Sequence, residues 1–268
     1  MNYCESKPCC DPTVKPCPNR KAPGPFKIEC VVVCDKYHDF LTHTLPVNKF
    51  HFNRMVVVTS AEDKATQKIC EVNHVQCVKT DKLRSRWGEF CKGAGINEGM
   101  SHLEMDGWTV HMDADIMLPP QTRGLLEKAD LDPTMIYGID RFMIEGYQEF
   151  DDFRAEPPLQ HENNTYIHTG AFRIGTRVMQ DVGNGWVPIG FFQLWHPKGS
   201  GVSKYPEGHT NAGREDLLFG EKWPRSYRAM IPEIIGYHLE SDESGFGSNW
   251  NGRKTPPFRP APPGTATR

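Results

Sequence analysis

The sequence has no long apolar run, since none approaches the ~20 residues that a membrane-spanning helix needs. Its first twenty residues also lack the apolar segment that a signal peptide contains. These absences argue against a membrane protein and against a secreted one. We therefore expect a cytoplasmic protein with no membrane partner.

An excess of basic residues is missing too: 31 Lys and Arg stand against 34 Asp and Glu, for a formal net charge of -3. This balance excludes the strongly basic surface typical of many nucleic-acid-binding proteins, although not a local basic groove. One local basic stretch is present, comprising Lys79, Lys82, Arg84 and Arg86. It is either a phosphate-contacting surface or a solvated face.

The nine cysteines include no Cys-x-x-Cys pair, so the common zinc motifs are absent. Five of them lie in or beside predicted strands and helices and are expected to be reduced thiols: Cys30, Cys34, Cys70, Cys77 and Cys91. The other four lie within the first 17 residues: Cys4, Cys9, Cys10 and Cys17. Four thiolates are a complete ligand set for a structural Zn²⁺. The alternative is a flexible, proline-rich tail.

Apolar runs alternate with amphipathic segments after this tail. Strands are predicted at 28–33, 55–58, 75–78, 108–112, 135–139, 169–174 and 190–195, and helices at 61–71, 87–100, 121–129 and 215–223. The alternation predicts an α/β fold with a Rossmann-like, mostly parallel central sheet flanked by helices. We expect a tail at 1–25, one domain at 26–240 with a long loop at 141–166, and a flexible tail at 241–268.

Acidic residues follow several of these strands, at the sheet edge where ligands of such folds bind. Asp35, Asp63 and the pair Asp113 and Asp115 are expected along this edge. Two carboxylates one residue apart can both reach a hard cation such as Mg²⁺ or Mn²⁺. Spacing alone is not specific, because Asp130-Leu131-Asp132 repeats it before a proline, where an exposed turn is expected.

Two segments carry a family resemblance: residues 92–99, Lys-Gly-Ala-Gly-Ile-Asn-Glu-Gly, and residues 108–115, Trp-Thr-Val-His-Met-Asp-Ala-Asp. Together they resemble the family 2-like glycosyltransferases of the GT-A fold, well over residues 28–119 and loosely elsewhere. The resemblance implies that Asp113 and Asp115 bind a metal and the nucleotide diphosphate, and that Asp63 or Glu62 contacts the base. Asp35 is expected in the same nucleotide site because of its place at the strand edge. It places Lys92 and Asn97 beneath the sugar nucleotide. Alternatively, the glycines serve helix packing.

The second half of the sequence supplies further candidates. In inverting GT-A enzymes an acidic pair at a helix start often supplies the general base, which makes Asp216 the first choice and Glu215 the second. The alternative is a pair that only complements the helix dipole. His238 follows the last apolar run, where such enzymes often complete the metal site. Arg253 either closes over the diphosphate or belongs to a solvated tail.

These features predict a metal-dependent transfer of a sugar from a nucleotide-sugar donor, with UDP-sugar favoured, to an acceptor hydroxyl. We favour inversion; a retaining enzyme would not require Asp216 as base. The chain also resembles phage-encoded transferases that glycosylate hydroxymethylated pyrimidines, which makes modified DNA one acceptor hypothesis, in the host cytoplasm, beside glycans and small molecules. The alternatives are a nucleotidyltransferase, which usually has a glycine-rich loop after its first strand, and a catalytically dead binding module.

Overall fold

The structure is a computed structural model that describes residues 26–85, 88–155, 174–175, 187–208, 212–241 and 255–260. Its strands are β1 Ile28–Val33, β2 Arg54–Thr59, β3 Gln76–Lys79, β4 Trp108–Asp113, β5 Ile116–Met117, β6 Ile136–Glu145, β7 Ile174–Gly175, β8 Phe192–Trp195 and β9 Arg228–Glu240. Its helices are α1 His38–Asn48, α2 Lys64–Asn73, α3 Lys92–Met100, α4 Thr122–Lys128, α5 Gly146–Ala155, α6 Pro197–Ser200 and α7 Ala212–Gly220.

The strands form one sheet in the order β3-β2-β1-β4-β8-β6-β9-β5, with β7 added beside β6. Strands β1 to β4 are parallel to one another, β8 is antiparallel to both β4 and β6, and β9 is parallel to β6. Most strands therefore run in one direction, with β5, β7 and β8 opposed. The predicted α/β class, a Rossmann-like and mostly parallel sheet flanked by helices, is confirmed.

Helix α3 packs very closely on the sheet because it carries glycines on its inner face. A Cβ atom at Gly99 would come within 2.3 Å of a Val31 methyl group, and one at Gly95 within 2.4 Å of a Leu83 methyl group. These glycines therefore serve helix packing, as the alternative interpretation predicted. The close approach brings the first residue of the helix, Lys92, to the carboxyl-terminal edge of the parallel strands.

Several predicted boundaries are wrong. Residues 141–166 do not begin as a loop, because β6 continues to Glu145 and α5 follows directly. The extension is stabilised by pairing of residues 140–145 with residues 235–240 of β9, and Phe150 of α5 is buried. Helix α3 begins at Lys92 and not at residue 87, and α7 spans Ala212–Gly220 instead of 215–223. Helix α1 was not predicted; it contains Pro46.

Part of the predicted flexible C-terminal tail is docked on the domain. Phe258 is buried and stacks on Phe40 of α1, with 4.8 Å between ring centroids. Its backbone N–H donates to the Asp39 carboxylate at 2.5 Å. The prediction of flexibility therefore fails for residues 255–260 and stays a prediction for the rest of 241–268.

The structure also bears on the membrane and cysteine predictions. Within the described ranges, no helix combines the length and the apolar character needed to cross a membrane. Five cysteines are free thiols, as expected: Cys30, Cys34, Cys70, Cys77 and Cys91. The proposed zinc ligands Cys4, Cys9, Cys10 and Cys17 lie outside the described residues, so that site stays a prediction.

Candidate functional site

The sheet topology brings Asp115 next to His238. Asp113 ends β4, Asp115 lies in the turn that follows, and β5 then pairs with β9 so that Ile116 lies opposite His238. The backbone N–H of Leu239 donates to the Asp115 carbonyl at 2.9 Å, which fastens this turn to β9. The distance from His238 Nε2 to Asp115 Oδ2 is 3.4 Å. Two residues predicted as metal ligands thus meet, although 122 residues lie between them in the sequence.

The donors at this point suit a divalent cation that is shared with a substrate. Asp115 Oδ1 is buried and has no hydrogen-bond partner within the described part of the chain. His238 Nδ1 lies 3.4 Å from Glu240 Oε1, which is the kind of carboxylate contact that orients a ligating imidazole. The described ranges contain no cluster of three or more His, Cys, Asp or Glu side chains able to hold a metal alone. Diphosphate oxygens and water would complete such a site.

Burial and charge act in opposite directions on the two aspartates. Burial raises the pKa of Asp113 to about 6, against the opposing charge of Lys92 and with the added charges of Asp115 and Asp216. Burial alone would raise the pKa of Asp115, but the contact with His238 holds that pKa below its ordinary value. Asp115 is therefore ionised at neutral pH, the form in which a carboxylate binds a metal.

Lys92 joins the two halves of the site. Its Nζ lies 2.8 Å from Asp113 Oδ1 and 2.9 Å from Asp216 Oδ2, and its side chain is almost wholly buried. Burial alone would lower the pKa of Lys92, but the two carboxylates raise it above the ordinary value, so the ammonium group stays charged. A single buried cation thus holds the aspartate that ends β4 against the aspartate on α7.

His111 lies beside the ion triad formed by Lys92, Asp113 and Asp216, and it contributes no charge to that triad. The imidazole is fully buried on β4, and its Nε2 lies 3.8 Å from Asp113 Oδ1. Burial and the nearby Lys92 charge hold the pKa of His111 well below its ordinary value. Since the ring is neutral, Lys92 is the cation, among the described residues, that directly contacts the acidic pair formed by Asp113 and Asp216.

Glu215 and Asp216 are adjacent on α7 but face different partners. Glu215 is fully buried and accepts a hydrogen bond from the Gly93 N–H at 2.7 Å, so it caps the amino terminus of α3. Asp216 instead contacts Lys92 and the Tyr205 hydroxyl. The geometry separates the two candidate bases. Glu215 caps helix α3, whereas Asp216 is part of the ion triad with Lys92 and Asp113.

Gly190 makes room for the Asp216 carboxylate. A Cβ atom at position 190 would lie 1.9 Å from Asp216 Cγ and from Oδ2, closer than any nonbonded contact. Gly190→Ala should therefore displace Asp216 and lower stability by about 1–3 kcal/mol, as measured by urea denaturation.

Gly124→Ala is the matched control, because a Cβ there meets nothing within 4 Å and the residue lies within helix α4. This variant should be neutral or more stable by up to about 1 kcal/mol. Equal behaviour of the two alanine variants would mean that Asp216 does not occupy the space over Gly190.

The predicted nucleotide edge is assembled by hydrogen bonds. Asp63 caps helix α2 through the Thr66 N–H at 3.1 Å, and its Oδ2 accepts from the Lys36 N–H at 2.6 Å. Asp35 accepts from the Ser60 hydroxyl at 2.7 Å and pairs with Arg84 at 2.5 Å. Both acids therefore lie at this edge, and their nucleotide-binding roles stay predictions.

The structure gives other predicted residues different surroundings. Asn97 uses its side-chain amide to hydrogen-bond the backbone of Tyr205, at 2.8 and 2.9 Å, and its place beneath a sugar nucleotide stays a prediction. Arg253 lies outside the described residues. Sequence reasoning did not find Tyr205, Gln193 or Glu240, because no motif or periodicity marks these isolated polar side chains.

Comparisons with known proteins give weak similarities only. No protein-family model and no curated protein sequence matches the chain. Mannosyl-3-phosphoglycerate synthase from Rubrobacter xylanophilus is 12% identical, with a TM-score of 0.43, over 82% of this chain and 68% of that one. Glucosyl-3-phosphoglycerate synthase from Mycobacterium tuberculosis, in complex with Mn²⁺, UDP and glucosyl-3-phosphoglycerate, is 11% identical, with a TM-score of 0.41, over 82% and 73%. At these values the similarities identify neither substrate nor site residues.

Proposed function

We propose that the protein is a glycosyltransferase that moves a sugar from a nucleotide-sugar donor, favoured as a UDP-sugar, to an acceptor hydroxyl with the help of a divalent metal. The observation that carries the proposal is the meeting of Asp113, at the end of β4, with Asp216 from α7 at buried Lys92. Two residues along the chain from Asp113, Asp115 contacts His238. The site lies at the carboxyl-terminal strand edge, where α/β sheets bind nucleotides.

Asp115 and His238 would hold the metal, with Asp113 beside them. Mn²⁺ or Mg²⁺ would supply Lewis-acid stabilisation of the departing nucleotide diphosphate. The buried Asp115 Oδ1, which has no hydrogen-bond partner among the described residues, is the donor atom that this role requires. Lys92 adds a positive charge at the Asp113 side of the site, where it can attract the anionic diphosphate as well as hold the carboxylates.

Asp216 would act as the general base in an inverting reaction. Its carboxylate would take the proton of the acceptor hydroxyl while that oxygen attacks the anomeric carbon, and the bond to the diphosphate would break with its electron pair leaving on the diphosphate. Each carboxylate oxygen has two lone-pair positions, so the contacts with Lys92 and Tyr205 leave capacity for a third partner.

The rival functions are less compatible with these contacts. A nucleotidyltransferase usually has a glycine-rich loop after the first strand, whereas here residues 34–38 contain no glycine. Lys36 in that turn has a φ of 65°, and its N–H is bound by Asp63. A catalytically dead binding module would have no use for two acidic side chains held at one buried lysine with an Asp115–His238 contact beside them.

Modified DNA stays one hypothesis for the acceptor, beside glycans and small molecules. Two residues of the basic stretch that could contact DNA phosphates already pair with carboxylates of the protein. Lys82 contacts Glu98 at 2.5 Å, and Arg84 contacts Asp35. Arg86 lies outside the described residues. Among the described residues, no contact in the site distinguishes a hydroxymethylated base from another hydroxyl, so acceptors have to be screened after the donor is known.

Substitution of the two neighbouring acids tests the assignment of the base. Asp216→Asn should lower kcat by about 10²–10⁴-fold with donor affinity retained, because the amide cannot take a proton. Glu215→Gln should keep kcat within a few-fold, since its amide oxygen can still accept from Gly93. Steady-state kinetics and donor titration measure both effects. The reverse pattern would make Glu215 the base, and lost donor binding in Asp216→Asn would give Asp216 a binding role.

A further inference from the structure

Tyr205 is a buried tyrosine in a segment that is otherwise largely open to solvent. Its side chain is 1% exposed, although its neighbours Ser203, Lys204 and Glu207 are exposed. The side-chain amide of Asn97, on helix α3, makes two hydrogen bonds to the Tyr205 backbone. It accepts from the N–H at 2.8 Å and donates to the carbonyl at 2.9 Å. The segment is therefore fastened so that this one side chain points inward.

The ring of Tyr205 is fixed by aromatic packing. It stacks on Phe219 of α7, with ring centroids 4.2 Å apart and an angle of 24° between the planes. The ring also lies 5.5 Å from the His111 ring. Phe219 belongs to the same helix as Asp216, so this stacking fixes the hydroxyl relative to the proposed base.

The Tyr205 hydroxyl lies between two acceptors. Its oxygen is 2.6 Å from Asp216 Oδ1 and 2.7 Å from Gln193 Oε1. The Gln193 amide cannot be reversed, because its Nε2 already donates to the Pro188 carbonyl at 2.7 Å and to the Asp216 carbonyl at 3.0 Å. A phenol has one proton, so it can donate to only one of these two oxygens at a time.

This arrangement is fully satisfied when Asp216 carries a proton. Protonated Asp216 would donate to Tyr205, and Tyr205 would then donate to Gln193, so that every oxygen in the chain has a partner. Ionised Asp216 would instead accept from Tyr205, a charge-assisted hydrogen bond. The two arrangements differ by the proton on Asp216 and by a rotation of the Tyr205 hydroxyl hydrogen, and no heavy atom has to move between them.

We infer that Tyr205 is a positioning residue for Asp216, holding its carboxylate in place before transfer and accepting its new O–H afterwards. The inference rests on the proposed function. In the step, the acceptor O–H bond breaks and its oxygen bonds to the anomeric carbon. The sugar–diphosphate bond breaks with its electrons leaving on the nucleotide diphosphate, and the proton goes to Asp216 Oδ1, the oxygen that faces Tyr205.

Tyr205→Phe tests the inference, because it removes the hydroxyl and keeps the ring that packs on Phe219. It should lower kcat by about tenfold, as expected for loss of a hydrogen bond to a charged group, and change the donor KM by less than about twofold. Tyr137→Phe is the matched control. That tyrosine is also buried, and its hydroxyl accepts from the Asp132 N–H at 2.7 Å, away from the site. Its kcat should be unchanged.

The same substitution in the Asp216→Asn background separates positioning from packing. If Tyr205 acts through Asp216, Tyr205→Phe should have no further effect on kcat there, and the two substitutions should be coupled in free energy of unfolding. An equal kcat loss in both backgrounds, a loss expressed in KM, or additive unfolding energies would overturn the inference. Absence of transfer by the unaltered protein from every donor would instead refute the proposed function, and the unfolding measurements do not depend on it.

Discussion

Asp115→Asn should abolish glycosyl transfer and leave the protein as stable as before. The substitution removes the carboxylate charge beside His238, and loss of several kcal/mol of metal-derived charge stabilisation lowers the rate by about three orders of magnitude or more. Stability should hardly change, because Asp115 Oδ1 has no hydrogen-bond partner within the described residues and Oδ2 lies 3.4 Å from His238. Transfer assays with added Mn²⁺ and a thermal melt measure the two effects.

Asp130→Asn is the matched control for this prediction. Asp130 begins the second Asp-x-Asp sequence, which precedes β6 and so lies at the opposite end of the strands from the site. Its substitution should leave transfer unchanged. Full activity of Asp115→Asn at saturating metal would remove the metal role of Asp115, and a large fall in its melting temperature would make the residue structural.

Lys92→Met should have the largest effect on stability of any single substitution in the site. Removing the ammonium group leaves Asp113 and Asp216 as two uncompensated carboxylates in one buried region, which costs about 3–5 kcal/mol of unfolding free energy. The loss should be greatest at alkaline pH and shrink as the pH falls to about 6 and below, because the Asp113 carboxyl, whose pKa is about 6 even beside Lys92, then takes up a proton and the repulsion is removed. Urea denaturation across this range measures it.

Two further variants test whether charge pairing is the cause. Lys68→Met removes an exposed lysine that pairs with Glu71 at 2.7 Å, and it should cost less than about 1 kcal/mol. Adding Asp216→Asn to Lys92→Met should restore part of the lost stability, since one of the two repelling charges is gone. A Lys92→Met protein that matches Lys68→Met in stability at neutral pH would contradict the ion triad.

Local patterns predicted the first half of the fold well. Runs such as residues 28–33 are short, apolar and rich in valine, which is typical of buried parallel strands, and β1 has those bounds. Prediction failed for residues 141–155, since the pairing that extends β6 comes from β9, far along the chain. Helix α1 carries a proline and little amphipathic pattern, so nothing local marked it.

The candidate site, like the fold, could be predicted only in part from local sequence patterns. Asp113 and Asp115 stand in one motif and were found from it, whereas the partners of these residues come from other elements. Lys92 was expected beneath the sugar nucleotide, and only the tertiary structure places its amine between two aspartates. Tyr205 and Gln193 could not be found, because their importance lies in contacts with Asp216 and not in any local sequence pattern.

The most direct test of the central proposal is calorimetric titration of the purified protein with UDP, UDP-glucose, UDP-N-acetylglucosamine and GDP-mannose, each with and without Mn²⁺. We predict that one nucleotide and its sugar bind with Mn²⁺ and only weakly without it, and that Asp115→Asn loses the metal-dependent part. Binding by none of the four in the presence of Mn²⁺, or equal affinity with and without metal, would contradict a metal-dependent site for these donors.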